Sequence, residues 1–205
     1  MITLRQIERY MNEQQHRRLY RELVTGRPEA AFALEPHLGR AVPAAALAMI
    51  RLDELSQSHA PLYRRLLNIV LTAQQGDGGW GDLMATALCA RALLCGGGQG
   101  AAVERGLAHL ASLQKSEGVW PKEPIRRLAA DAFTSAFILL QLGSHGEFRR
   151  AVRFADAVDW FAANAPAMDA DAKRMWDRAA VRCRVAGDRA ILRSLWPDTV
   201  GRPAA

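Results

Sequence analysis

Apolar residues recur at helical spacing along nearly the whole chain, with no strand pattern of note. Leu4, Ile7 and Met11, then Leu19 and Leu23, predict a helix over 3–24 with Thr3 as its cap. Gly26-Arg27-Pro28 ends it, and a poorly patterned stretch follows to Val42. Pro43 fits the first turn of a helix to about Leu55, with Leu47, Met49 and Ile50 on its face. Pro61 opens the next, whose Leu62, Leu66, Ile69, Val70 and Ala73 lead to Gln74. Asp82 caps a helix through Leu94 that carries Met84, Leu88, Ala92 and Leu93. Further helices are predicted over 101–114, after Leu128 to about Leu142 with Ala132, Ala136, Leu139 and Leu140, and over 147–163, 169–185 and 188–196. The fold class is therefore all-α.

The breaks between these helices repeat. Gln74-Gln-Gly-Asp-Gly78-Gly-Trp80 returns forty positions later as Gln114-Lys-Ser-Glu-Gly118-Val-Trp120, and Leu67 and Val70 match Leu107 and Leu110. Each copy has a helix end, a glycine turn that accepts positive φ, and a tryptophan whose ring can be buried while its indole N–H donates. The glutamine amide has donors and an acceptor with which to tie one helix end to the next. Gln74, Gly78, Gln114 and Gly118 are thus structural repeat residues. The second copy departs after its tryptophan: Trp80 to Thr86 spans six residues and Trp120 to Thr134 fourteen, an insertion of eight around Pro121–Leu128. This divides the chain into an N-terminal helical extension (1–42), a repeat domain (43–196) and a loose tail (197–205).

The paired motif resembles the Gln-Trp motif of the terpenoid cyclase and protein prenyltransferase superfamily over about residues 60–145. The resemblance implies an α/α-toroid-like arc of helix hairpins. Six pairs of forty residues would need about 240 residues, so 205 residues leave the ring incomplete, or closed by irregular helices or by another chain. An open superhelix of helix pairs is the other stacking for repeats of this length.

Composition narrows the partners. The length suits one domain, or one and a half at most, and 50% hydrophobic residues suffice for a core. No run of about 18 apolar residues occurs, so no membrane span is expected. The charged, amphipathic start does not read as a secretory signal. Cys89, Cys95 and Cys183 have no metal spacing, and their odd number fits reduced thiols in the cytoplasm. The formal charge is +6, with all but three of the 27 basic residues Arg. They are scattered in pairs such as Arg17-Arg18, Arg64-Arg65, Arg126-Arg127 and Arg149-Arg150. A nucleic-acid groove needs a concentrated stripe, so no nucleic-acid partner is expected.

The resemblance also says where chemistry would sit. Cyclases that begin by protonation share an Asp-x-Asp-Asp segment followed by Thr, with the middle Asp as acid. The matching place here is Ala130-Asp131-Ala132-Phe133-Thr134, and Ala132 stands where the acid is expected. Asp131 is then the nearest catalytic candidate, with Trp80 and Trp120 as aromatic supports for a carbocation. Lys122, Arg126 and Arg127 precede a helix N-terminus and could attract a diphosphate or carboxylate. Phe133, Phe137, Leu88 and Met84 would line the wall for an isoprenoid or other apolar tail. Asp169-Ala-Asp171 sits at a helix start and reads as capping or surface charge.

Other schemes of the superfamily lack their residues. No Asp-x-Cys lies near a repeat helix start, and His16, His37, His59, His109 and His145 are scattered, so no zinc site and no metal are expected. Cys95 and Gln99 are four apart, one too many for the internal thioester of the complement-like toroids. The Gly96–Gly100 loop has no following Lys-Ser/Thr to make a P-loop, and no cofactor is implied. Two functional readings follow. One is an isoprenoid-handling protein, either a diverged cyclase or a prenyl-binding protein. The other is a non-catalytic helical-repeat module that binds a protein partner or a second copy.

Overall fold

A computed structural model describes residues 35–97 and 100–195. The predicted helix over 3–24, most of the 1–42 extension, Gln99 and the tail from 197 lie outside the described residues. Within them the chain is all-α: α1 (Glu35–Glu54), α2 (Pro61–Thr72), α3 (Leu83–Cys95), α4 (Gly100–Leu113), α5 (Ala132–Leu142), α6 (Gly146–Ala151), α7 (Phe154–Asn164) and α8 (Ala170–Leu195). A 3-10 turn, Ala165–Ala167, joins α7 to α8, and the pair Pro121 and Ala130 forms an isolated antiparallel bridge.

Four helices pack in series, α1 on α3, α3 on α5 and α5 on α8, while α2 packs on α1, α4 on α3 and α6 on α4. Composition decides which helices lie in the middle. Residues 85–90 of α3 and 133–139 of α5 are buried without a break, as expected of helices that are apolar all round. Ala85, Ala87, Ala90 and Ala92 let neighbours approach α3 closely. By contrast, α2 exposes Arg64, Arg65, Asn68 and Thr72, and α4 exposes Glu104, Arg105, Ala108 and Ser112. These are amphipathic helices with one face in water.

Three expected boundaries move, each for a physical reason. Pro43 lies inside α1, which begins at Glu35, so a boundary between 42 and 43 would cut a helix. Tertiary burial of Val42, Ala45, Ala46 and Met49 along this helix overrides the local preference of proline for a first turn. The helix expected over 147–163 is broken into α6 and α7 at Val152-Arg153. There Gln114 takes both backbone groups of Arg153, with Arg153 N–H donating to Oε1 (2.8 Å) and Nε2 donating to Arg153 O (3.1 Å). A continuous helix would have needed that N–H for itself, while Arg153 O still accepts from Ala157 N–H (3.3 Å) at the start of α7. Conversely, the helices expected over 169–185 and 188–196 are one, because Gly187 inside α8 costs only about 1 kcal/mol.

Candidate functional site

The two Gln-Trp corners carry nearly the same set of bonds. At the first, Gln74 Nε2 donates to Gly78 O (2.9 Å) and to Ala102 O in α4 (2.9 Å), while Arg105 donates to its Oε1 (2.6 Å). At the second, Gln114 Nε2 donates to Gly118 O (2.7 Å) and to Arg153 O ahead of α7. Each amide therefore closes its own turn and ties it to the start of the next outer helix. The indoles do the same for the preceding helix, Trp80 Nε1 donating to Val70 O and Trp120 Nε1 to Leu110 O, both at 2.7 Å. Gly78 and Gly118 have φ of +90° and +83°. A Cβ at Gly78 would lie 2.5 Å from Arg105 O, and one at Gly118 would run into the backbone of Asp156 and Ala157. Only glycine meets both demands.

The helix that leaves each corner starts alike. Asp82 accepts from Ala85 N and Asp131 from Thr134 N, both at 2.7 Å. Four residues after each cap a hydroxyl reaches back: Trp80 N–H donates to Thr86 Oγ1 (3.0 Å) and Trp120 N–H to Ser135 Oγ (2.8 Å). Ser135, not Thr134, is thus the counterpart of Thr86, and the insertion is nine residues, the difference between spacings of fifteen and six. The third hairpin, α7 to α8, keeps the cap alone. Asp169 accepts from Asp171 N and Ala172 N, which is the capping role read for it in the sequence. Its core uses a Phe161–Trp176 stack with centroids 4.4 Å apart in place of a Gln-Trp corner.

The connection that contains the insertion, 121–130, is exposed from Lys122 onward. Its ends are pinned by the Pro121–Ala130 bridge and by Asp131 N–H donating to Trp120 O (2.8 Å). Leu128 N–H donates to Ile125 O (3.0 Å), so Arg126 and Arg127 are the central residues of a turn. Lys115 Nζ holds that turn from below, through Leu128 O (3.1 Å) and Arg126 O (3.5 Å).

The candidate residues therefore separate. Lys122, Arg126 and Arg127 share one exposed loop. Phe133 and Phe137 lie in the core, 7% and 4% exposed, together with Leu88, and Met84 is partly buried against it. Trp80 and Trp120 are buried in successive corners, Trp120 stacking on Phe148 at 6.1 Å. Asp131 is a helix cap whose Oδ1 is already engaged. Sequence reasoning missed the hydroxyls of Thr86 and Ser135 as a pair. The signal was present as an Asp with a hydroxyl residue four positions on, in both copies.

The corners differ in the donor to the glutamine Oε1, the Arg105 guanidinium at the first and the Arg153 backbone N–H at the second, and in what lies beside the turn. His109 fills the space beside Gly79, where a Cβ would come 2.7 Å from Nε2, whereas the second corner holds a buried Val119. Among the described residues no three His, Cys, Asp or Glu gather as metal ligands. The three cysteines are free. Burial pushes each of their thiols above the usual range, with Asp82 adding to the effect on Cys89. They are held as thiols and are poor nucleophiles. No helix among the described residues is long and apolar enough to cross a membrane. No family model, curated protein or solved structure matches the chain.

Proposed function

We propose that this chain is a non-catalytic helical-repeat module, an arc of hairpins joined by Gln-Trp corners, that binds a protein partner. One observation carries the reading: the groups that a cyclase-like reaction would draw on are already committed to architecture. Both tryptophan rings are buried in the corners, Trp120 against Phe148, and Asp131 caps α5 as Asp82 caps α3. The position where the resemblance expects an acid is Ala132, which has no proton to give. Three free thiols, two of them buried, fit a reducing compartment such as the cytoplasm. To test it, the protein is incubated with farnesyl diphosphate, geranylgeranyl diphosphate and squalene, and the products are analysed by mass spectrometry. No turnover, with one defined protein co-purifying in fixed ratio, is the expected result. Turnover that Asp131→Asn abolishes at unchanged melting temperature would overturn it.

A second reading, binding of an isoprenoid diphosphate, has one observation in its favour. Lys122, Arg126 and Arg127 are exposed on the loop that leads into the N-terminus of α5, where an anion would meet positive charge. The apolar tail would have to displace Phe133 or Phe137 from the core. Equal binding of a prenyl diphosphate by the wild type and by Arg126→Ala/Arg127→Ala would end this reading.

A further inference from the structure

Among the described residues, Ile125 and Leu128 are two of the few large apolar side chains left exposed, at 40% and 38%. They occupy the outer positions of the turn whose central residues are Arg126 and Arg127. The tip thus reads apolar, cation, cation, apolar, with Lys122 behind it and Glu123 the only acid in the segment. Nothing within the repeat requires this tip. The first corner passes from Trp80 to its cap Asp82 through Gly81 alone. The turn is nevertheless held in shape by the bridge at its base and by Lys115.

We propose that the turn Ile125–Leu128 docks on an anionic lipid surface. The warrant is charge complementarity combined with the exposure of Ile125 and Leu128. The arginine forks suit phosphate and carboxylate oxygens of lipid headgroups, and the two exposed aliphatic side chains supply the apolar contact that a peripheral segment makes at the interface. An exposed four-residue turn offers far less than the roughly 800 Å² per partner that a stable protein interface buries. A headgroup layer, in contrast, moulds itself around a projection. The contact is peripheral and reversible, and it does not depend on whether the module also holds a protein partner.

The test is co-sedimentation of the full chain with vesicles of phosphatidylcholine, alone or with about 30% phosphatidylserine, at low and high salt. Binding should need phosphatidylserine and weaken as salt shortens the Debye length. Arg126→Gln/Arg127→Gln should weaken it roughly twenty-five-fold, about fivefold per arginine. Ile125→Ser/Leu128→Ser should weaken binding while leaving its salt dependence. Circular dichroism should show both variants folded, since the altered side chains are exposed. Equal binding to neutral and anionic vesicles, no binding at low salt, or an arginine variant that binds like wild type overturns the proposal. So does a defined protein captured through this tip by a chain that ignores vesicles.

Discussion

Asp131 distinguishes capping from catalysis within one carboxylate. Its Oδ1 accepts from Thr134 N at the distance found between Asp82 and Ala85 N. If capping is its whole role, asparagine should serve as well, because Asn and Asp are comparable N-caps and Ala is not. Asp131→Asn is therefore expected within about 0.5 kcal/mol of wild type, and Asp131→Ala about 1 kcal/mol less stable. Urea denaturation measures both, with Asp82→Ala as the internal standard. A loss with Asn as large as with Ala would mean that the carboxylate charge does something the cap geometry does not explain. Much of this was open to reading from the residues alone. Gln, Gly and Trp in two copies named the corners, because a positive φ and a buried indole each demand a particular side chain. The hydroxyl pair was harder to see. Thr86 and Ser135 differ in identity, and an adjacent Thr134 offered a false match.

Elements are set by the same logic, through which backbone groups remain available. The glycines of the corners show it most directly. Gly81 and Gly118 both have positive φ, +88° and +83°, but a Cβ at Gly81 meets nothing within 4 Å, whereas at Gly118 it meets the start of α7. Gly81→Ala should cost about 1–2 kcal/mol, the strain of a left-handed residue alone. Gly118→Ala should cost several times that, because rigid backbone must also shift. Equal losses in chemical denaturation would remove close approach from the account. Lengths follow as well. The first corner needs one residue between Trp80 and Asp82, so replacing 121–130 with a single Gly should leave the second corner intact. Stability is expected within about 2 kcal/mol of wild type, since a shorter closure offsets part of the bonds lost from Lys115. Thermal unfolding checks this, and an unfolded product would show that the insertion supports the fold. The break between α6 and α7 could not be read in advance. It depends on Gln114, 39 positions before Arg153, and local propensity carries no record of so distant a partner.

At the scale of the whole molecule, the corners lie at one end of the central helices and a mixed polar cluster closes the other. Arg91 of α3 donates to Gln141 of α5 (2.7 Å) and pairs with Glu54 of α1 (3.3 Å), and Arg182 of α8 donates to Leu140 O (3.2 Å). Cations at helix C-termini answer the partial negative charge of unpaired carbonyls. His145, which precedes α6, feels this arrangement as a penalty on its charged form. Burial lowers its pKa first, Arg91 and Arg182 lower it further, and Glu147 opposes them in part. The sign of the pH effect follows. With the folded value below the unfolded one, near 6.5, the unfolded chain takes up the proton first as pH falls. Stability from this group is complete above about pH 6.5 and declines below it until folded His145 titrates too. Denaturation midpoints measured from pH 7.5 down to 5.5 should show this decline in the wild type, and His145→Gln should flatten it. Should the variant keep the wild-type slope, the acid sensitivity would belong to another group, and the far end of the row would owe its order to the arginine bridges alone.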